Sequence, residues 1–337
     1  MRHLKPGNES SFKKLLNSLA NIKIGNGSSF LSGFKSLTSL KIGRSGDGRQ
    51  LLSISIEHGF VKLLVTRGLE VVDFKILMAS PEFFREGLVG DKNRVSGIIQ
   101  GALDEMSLGD CRVIGAVPGF QNTLRIIRLP NVKGLQPSEV IPREARRTMG
   151  VSLETNQLAW RELGGEMERK RWVVVSAARH SVSSLVDTAQ QAGLKVSIVD
   201  LRAFALARVA NQPDAVFAWL APDGCDVIII KESVPVQQQS LFWGAGQVEG
   251  AVLVERVSDM VERTISLYND ANADAAIMNN VPLYVSGSPI SVETDIGARV
   301  ATNLQRPAAT LAPPLPLPPD FPLHDMVVNI GLALRGA

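Results

Sequence analysis

Apolar residues fall into three closely spaced runs between Leu51 and Ala79, each interrupted by single polar residues. Runs of this length, rich in β-branched residues and separated by turn residues, predict consecutive antiparallel strands. The same arrangement returns between Ala215 and Phe242. The chain is therefore expected to form two separate units, each of which begins with a three-strand meander.

The segments between and after the meanders combine helical and strand patterns. Apolar residues spaced three and four apart predict helices, and short apolar runs predict strands. The predicted helices are Arg94 to Met106, Ser138 to Met149, Ser181 to Ala192, Leu201 to Ala210, one ending near Tyr268, and one closing the chain. The predicted strands are CRVIGAVPG, LRIIRLP, WVVVSAA, LKVSIVD and PLYVSGS. This alternation indicates an α/β protein whose sheets are covered by helices.

The first 49 residues contain an internal duplication. A shift of 18 residues superimposes residues 10–25 on residues 28–43 with eight identities, including both Lys-Ile-Gly triplets. Since 18 residues make five helical turns at about 3.6 residues per turn, the apolar side chains of two helical copies would share one face. The repeated apolar positions are Phe12, Leu16 and Leu19 in the first copy and Phe30, Phe34 and Leu37 in the second.

Two interpretations of this tail stay open. Residues 1–50 carry nine Lys and Arg against two carboxylates, a net of +7, which leaves −4 for the rest of a chain whose total is +3. Two short amphipathic segments would bind an anionic membrane surface or a partner protein, with a gain from bivalency. The alternative is a disordered extension rich in Ser, Gly and Asn. Equal flotation with anionic vesicles by the intact chain and a chain starting at Gln50 would reject membrane binding.

Composition narrows the class of protein. A chain of 337 residues with 45% hydrophobic residues is long enough for one large core or two smaller ones. Cys111 and Cys225 have no further Cys or His at ligand spacing, so we expect neither disulfides nor a zinc site, and a cytoplasmic location. No apolar stretch approaches the ~20 residues of a membrane span, and no signal-peptide pattern is present. The mildly acidic body argues against nucleic-acid binding.

Several short motifs follow one another in a recognisable order. They are ISIEHGFVKLLV, RLP, VVVSAAR, AGLKVSIVD, VERTISLY and IGLALRG, and they extend over residues 51–337. In this order they resemble the PilM-type type IV pilus assembly proteins, in the FtsA and PilM group of the actin-like ATPase superfamily. The resemblance implies an actin-like (ribonuclease H-like) two-lobed α/β fold, with an inserted small α+β subdomain and a reduced second lobe.

The resemblance also implies domain bounds. The inserted subdomain is expected to occupy the place that it has in the cell-division protein FtsA. The expected divisions are a tail at 1–49, a first lobe at 50–79 and 171–212, the inserted subdomain at 80–170, a shortened second lobe at 213–305, a Pro-rich connection at 306–322, and a closing helix of the first lobe at 323–337.

By the same resemblance, the protein is expected to be a cytoplasmic scaffold at the inner face of the cell membrane. Members bind a short cytoplasmic segment of a PilN-type bitopic membrane protein, and we expect this segment to pair at a sheet edge between the inserted subdomain and the first lobe. Pilus assembly motor ATPases or the platform protein are further expected partners, and a homo-oligomer stays open. The alternatives are an ATP-binding actin-like ATPase coupled to pilus assembly and an actin-like filament protein.

The positions that match the family's phosphate loops hold unexpected residue types. Actin-like ATPases use an Asp that organises Mg²⁺ and its waters, and a Gly that lets backbone amides approach the phosphates. These positions hold Ser55 and Glu57 in the first loop, and Trp219 and Ala221 in the second. A carboxylate at the first loop repels phosphate, and an indole cannot replace a metal-organising carboxylate.

Three further residues, Lys62, Gly244 and Gly287, lie at positions that match nucleotide-binding segments of the family. Lys62 is the best retained residue of the first loop, although we favour its interpretation as a sheet-edge lysine. Gly287 is the one glycine kept from the adenosine loop, and Gly244 belongs to the loop FWGAG, which precedes a shortened helical segment. We therefore expect a pseudo-ATPase with no catalytic residues, no metal site and no cofactor, for which ATP with Mg²⁺ is the alternative ligand.

Overall fold

The computed structural model describes residues 23–24, 49–85, 87–165, 168–244 and 248–336. The described strands are β1 (Lys23–Ile24), β2 (Gln50–Glu57), β3 (Phe60–Arg67), β4 (Glu70–Met78), β5 (Phe84–Arg85), β6 (Leu88–Val89), β7 (Cys111–Val117), β8 (Thr123–Pro130), β9 (Asn156–Gly165), β10 (Arg169–Ala178), β11 (Val196–Leu201), β12 (Ala215–Ala221), β13 (Gly224–Lys231), β14 (Val234–Phe242) and β15 (Leu283–Gly287). The described helices are α1 (Lys92–Glu105), α2 (Pro137–Met149), α3 (Arg179–Gln191), α4 (Arg202–Ala210), α5 (Gly250–Ala271), α6 (Ser288–Val292), α7 (Ile296–Asn303) and α8 (Leu323–Gly336).

The first lobe is built on a five-stranded sheet in the order β11-β7-β2-β3-β4. The first predicted meander forms its antiparallel part, and β7 and β11 extend the sheet parallel to β2. Helices α1 and α3 pack against each other and against the sheet, and α4 and α8 form a second such pair. Every residue of β2 is buried, as expected of a strand whose sheet is enclosed by helices.

The closing helix α8 packs in the first lobe and is held there by buried charges. Asp200, at the end of β11, forms ion pairs with Arg208 of α4 and Arg335 of α8. Arg208 Nη1 also donates a hydrogen bond of 2.6 Å to the Gly331 carbonyl oxygen. At the crossing of α4 and α8, a Cβ on Gly331 would overlap the Ala205 carbonyl oxygen, so this close approach requires glycine.

The inserted subdomain is a separate sheet in the order β1-β9-β10-β8, with α2 packed on one face. Its own small core includes Ile127, Ile141, Trp160 and Trp172. The expected bounds of 80–170 are wrong, because α1 and β7 belong to the first lobe, whereas β10 lies between β9 and β8. The apolar pattern identifies a strand, but the sheet that it joins depends on pairing with residues far away in sequence.

The second lobe has a four-stranded sheet in the order β14-β13-β12-β15. Its core lies between this sheet and helices α5 and α7. The sequence pattern missed α6, which follows β15 directly, and α7, which begins at Ile296. Among the described helices, none is both long enough and apolar enough to cross a membrane.

The Pro-rich connection at 306–322 leads from the second lobe back to the first. It begins beside β15, where Ala308 forms a parallel bridge with Leu283. Leu311 and Leu315 are buried along it, and Phe321 packs edge to face on Phe74 of β4, with ring centroids 4.9 Å apart. The connection therefore lies against the first lobe.

Within residues 1–48, the structure describes Lys23 and Ile24 alone. These two residues form β1, which pairs antiparallel with β9, so that Lys23 lies opposite Trp160 and Ile24 opposite Ala159. The repeated apolar positions lie outside the described residues; they are Phe12, Leu16, Leu19, Phe30, Phe34 and Leu37. Part of the tail is therefore an added strand of the inserted sheet.

Candidate functional site

The first predicted phosphate loop lies at the end of β2, and its serine faces the closing helix. Ser55 is buried, and its Oγ donates a hydrogen bond of 2.8 Å to Asn329 Oδ1 of α8. Asn329 Nδ2 donates in turn to the carbonyl oxygens of Ser53 and Lys62, at 3.0 Å and 2.9 Å. The hydroxyl at the position predicted to match a metal-organising carboxylate thus helps to pack β2 and β3 against α8.

Lys62 and Glu57 form a buried ion pair at the boundary between the lobes. Lys62 Nζ lies 2.6 Å from Glu57 Oε2 and donates a hydrogen bond of 2.9 Å to Ser288 Oγ at the start of α6. Lys62 is wholly buried and Glu57 is 2% exposed. The interpretation of Lys62 as a sheet-edge lysine is wrong, because β3 lies inside the five-stranded sheet and the ammonium group connects the two lobes.

The second predicted loop is filled by an aromatic ring under a cation. Trp219 of β12 is 2% exposed, and Cζ of Arg202, from α4 of the first lobe, lies 3.6 Å from the centroid of its ring. Such contacts are attractive because the ring face is electron-rich. Arg202 Nη1 also donates a hydrogen bond of 2.9 Å to Asp226 Oδ2, and Ser240 Oγ donates one of 2.6 Å to Asp226 Oδ1. This network joins the two lobes.

The turns of the two meanders meet through a histidine and an aspartate. His58 Nδ1, in the turn after β2, lies 3.6 Å from Asp223 Oδ2, in the turn after β12. This distance permits an ion pair but is too long for a hydrogen bond. Burial raises the pKa of Asp223 above its ordinary value of 3.8, while electrostatic attraction to the neighbouring His58 and Arg202 acts in the opposite direction.

Two glycines in this region are needed for close packing. A Cβ on Gly119, between β7 and β8, would overlap Gln238 Nε2 and come within 2.6 Å of Asp226 Oδ1, so that second-lobe side chains lie against first-lobe backbone. Gly287 has a φ of +125°, and a Cβ there would overlap the Leu220 carbonyl oxygen. Gly287 therefore serves the packing of β15 against β12.

Little free space remains between the two turns. A cavity of about 40 Å³ lies there, lined in part by Glu57, His58, Trp219, Ala221 and Asp223. Sites for small-molecule ligands usually measure ~300–1,000 Å³. The space at the predicted nucleotide position is therefore roughly tenfold smaller than a typical ligand site.

The structure brings only some of the predicted positions together. Glu57, Trp219 and Ala221 line the small cavity, and Lys62 reaches Glu57 from the neighbouring strand. Gly244 lies outside this group, in the loop after β14, with open space beside its Cα. Within the part of the chain that the structure describes, no three His, Cys, Asp or Glu side chains are close enough to hold a metal ion.

The cleft is the region between the lobes around Glu57, Lys62 and Trp219. The sequence did not identify the residues that α4, α6, α8 and the turn after β12 contribute to it. Arg202 is the first residue of an apolar helix, RAFALARVA, whose residues are all buried, and a cation in that setting needs a partner. Asp223 and Gly224 form an Asp-Gly pair between two predicted strands, which is a strong turn signal. Asn329 and Ser288 carry no local signal, since their roles depend on contacts far away in sequence.

Solved structures share this architecture. A PilM-PilN type IV pilus biogenesis complex superimposes with a TM-score of 0.64 and 18% sequence identity, covering 85% of this chain and 98% of that chain. The ethanolamine utilization protein EutJ from Carboxydothermus hydrogenoformans superimposes with a TM-score of 0.52 and 14% identity, covering 87% of this chain and 92% of that chain. No protein-family model and no curated protein sequence matches the chain. These likenesses confirm the predicted actin-like, two-lobed α/β fold.

Proposed function

We propose that this chain is a non-catalytic scaffold of a type IV pilus assembly system, which binds the cytoplasmic segment of a PilN-like bitopic membrane protein. The fold that it shares, over most of its length, with a PilM-PilN complex supports the assignment to pilus assembly. The buried ion pair between Lys62 and Glu57 is the observation that most directly supports the absence of catalysis.

This ion pair opposes the binding of a triphosphate. Lys62 is the cation retained in the first loop, but Glu57 already neutralises it at 2.6 Å. An incoming phosphate would have to separate the pair and lie beside a buried carboxylate. Two like unit charges about 4 Å apart repel by about 4 kcal/mol at an effective dielectric of about 20. Binding at this position is therefore strongly disfavoured.

The rest of the cleft does not fit Mg·ATP either. The ring of Trp219 packs under Arg202 where a metal-organising carboxylate is needed, and the remaining cavity of about 40 Å³ is too small for a nucleotide. Two ion pairs already occupy the charged groups between the lobes: Lys62 binds Glu57, and Arg202 binds Asp226. The same contacts that exclude the nucleotide hold the two lobes together, as a fixed scaffold requires.

A partner segment in extended conformation fits the sheet edges of this fold. In the described structure, β4 and β11 end the first-lobe sheet and β8 ends the inserted sheet. An added strand gains main-chain hydrogen bonds along such an edge, and alternate side chains supply specificity. The PilN-like segment pairs at an edge between the inserted subdomain and the first lobe, and through this partner the protein is held at the inner face of the membrane. Pilus motor ATPases or the platform protein would bind the assembled complex.

Co-purification tests this function. The full chain is mixed with a tagged peptide containing the first ~20 residues of the PilN-like protein of the same organism, a length that suits strand addition. We expect the chain to be retained by this peptide in the absence of nucleotide and to be lost with a scrambled peptide of equal composition. Equal retention by both peptides, or by neither, would contradict the proposal.

A further inference from the structure

A second, much larger cavity lies between the inserted sheet and the second lobe, away from the two meander turns. Its volume is about 820 Å³, which is within the range of ligand-binding sites. One wall is formed by β8, β9 and β10, and the other by β14 and the end of α5. Apart from the edge of β8, nothing in the proposed function uses this space.

The cavity is strongly basic. Five cationic side chains and two carboxylates line it; they are Arg125, Arg128, Arg161, Arg171, Lys231, Glu162 and Glu232. Both carboxylates are already paired. Glu232 accepts two hydrogen bonds from the Arg171 guanidinium, at 2.9 Å and 2.7 Å, and Glu162 lies 2.9 Å from Lys170 Nζ. Lys231 is also paired, 2.5 Å from Asp214 Oδ2, so the excess of positive charge that a ligand meets comes from Arg125, Arg128 and Arg161.

Arg161 is the most informative of these cations. It is 6% exposed, it lines the cavity from β9, and its Nη1 atom has no hydrogen-bond partner in the described structure. It also forms no ion pair with any described residue. Burial, and secondarily the charge of Arg208, lowers the pKa of Arg161 to about 10, so the guanidinium stays charged at neutral pH. A buried unpaired cation is costly unless an anion completes it.

We propose that this cavity binds an acidic segment of a partner protein, with a carboxylate of that segment accepting hydrogen bonds from the Arg161 guanidinium. A guanidinium presents its donors as a planar fork that matches a carboxylate. Arg128, at the exposed rim, adds a second positive charge that attracts an acidic neighbour. The site lies apart from the cleft, and the inference does not depend on the proposed function.

The lining of the cavity favours a peptide over other anions. A phosphate ion would fill only a small part of 820 Å³, whereas a peptide also covers the apolar side chains of Ile126, Leu163 and Leu267. A nucleic acid would need aromatic faces for its bases. The two aromatic residues of the lining, Trp172 and Tyr268, are 7% and 6% exposed and offer little such surface.

The tail of this chain is a poor occupant of the same cavity. Residues 1–50 carry a net charge of +7, and like charges repel each other across a basic cavity. The ligand is therefore expected to come from another chain. Its side chains would alternate between acidic and apolar types, because a segment lying along the cavity meets both cationic and apolar groups.

Fluorescence anisotropy of the full chain with a fluorescein-labelled peptide of alternating Glu and Leu tests this site. The control peptide carries Gln in place of each Glu. We expect the Glu peptide to bind at least about tenfold more tightly than the Gln peptide, and Arg161→Met to remove this difference. Arg94→Met, at an exposed arginine of α1, is the matched control and leaves binding unchanged. Equal binding of the two peptides, or unchanged binding by Arg161→Met, would overturn the proposal.

Thermal unfolding measures whether Arg161→Met also changes the stability of the fold. If the guanidinium is kept for a ligand, its removal raises Tm in the absence of peptide, because a buried unpaired charge is lost. A lower Tm would show that Arg161 is structural and would overturn the proposal. Arg128→Gln, at the rim, is a second variant and is expected to weaken the Glu peptide about threefold with Tm unchanged.

Competing anions separate the classes of ligand. The labelled Glu peptide should be displaced by its unlabelled form, and not by inorganic phosphate at the same concentration. An oligothymidylate that binds more tightly than the Glu peptide would show that the cavity is a nucleic-acid site, and this outcome would also overturn the proposal.

Discussion

Two buried charges, Lys62 and Glu57, define the candidate cleft at the scale of single residues. Both positions were identified from the sequence, because they match phosphate-loop positions of the family that the chain resembles. It could not show that the two side chains bind each other, since that depends on how β2 and β3 pair and on the approach of α6. For the same reason the interpretation of Lys62 as a sheet-edge lysine was wrong.

Removing the charge of Glu57 should destabilise the fold strongly. Glu57→Gln leaves the Lys62 ammonium buried without a counter-ion, and breaking a buried pair in this way typically costs about 3–5 kcal/mol. Urea unfolding followed by circular dichroism measures the free energy of unfolding. The matched control is Asp187→Asn. Asp187 pairs with Lys92 at the surface, where the two side chains are 45% and 34% exposed, so this substitution should change stability by less than about 1 kcal/mol. Equal effects of the two substitutions would contradict this account.

His324 should make the stability depend on pH below neutrality. Burial lowers its pKa below the ordinary value of 6.5, and its Nδ1 atom lies 3.1 Å from Ser286 Oγ of the second lobe. The folded state favours the neutral ring, whereas the unfolded chain binds a proton more readily. The contribution of His324 to stability is therefore present above pH 6.5 and is lost as the pH falls through the lowered pKa of the folded state. We expect Tm to fall more steeply with acidification in the native chain than in His324→Asn. Parallel Tm profiles would show that His324 does not contribute.

At the scale of elements, local patterns predicted where strands and helices form better than which sheet a strand joins. The run WVVVSAA was correctly predicted as a strand, yet β10 belongs to the inserted sheet and not to the first lobe. The run CRVIGAVPG was correctly predicted as well, yet β7 lies inside the first-lobe sheet. Both errors concern non-local pairing. Helices α6 and α7 were missed because they lie just after β15 in a segment rich in Ser, Gly and Pro.

The crossing of α4 and α8 gives a prediction at this scale. Gly331→Ala places a methyl group against the backbone of Ala205, which cannot move without shifting a buried helix, so we expect a loss of about 2–4 kcal/mol. Gly101→Ala in α1 is the matched control, because no atom lies within 4 Å of its new Cβ. That control should stabilise the helix by up to about 1 kcal/mol. Urea unfolding compares the two, and similar stability of both variants would show that the crossing is looser than described.

At the scale of the whole molecule, the two-lobed fold was predictable from the sequence, whereas the state of its cleft was predictable only in part. The repeated meander and the order of the motifs indicated the fold. Unusual residues at the positions that match the phosphate loops predict a weak nucleotide site, and this stays a prediction. The contacts that close the cleft, such as those of Arg202 with Trp219 and Asp226, join elements that are distant in sequence. The basic cavity behind the inserted sheet likewise arises only when the lobes are assembled.

Isothermal titration calorimetry of Mg·ATP into the full chain tests whether the cleft between the lobes excludes nucleotide. We expect no saturable binding at nucleotide concentrations up to about 1 mM, because the Lys62–Glu57 ion pair and the Trp219 ring fill the space that a nucleotide needs. A dissociation constant in the micromolar range, lost when Mg²⁺ is omitted, would contradict this expectation.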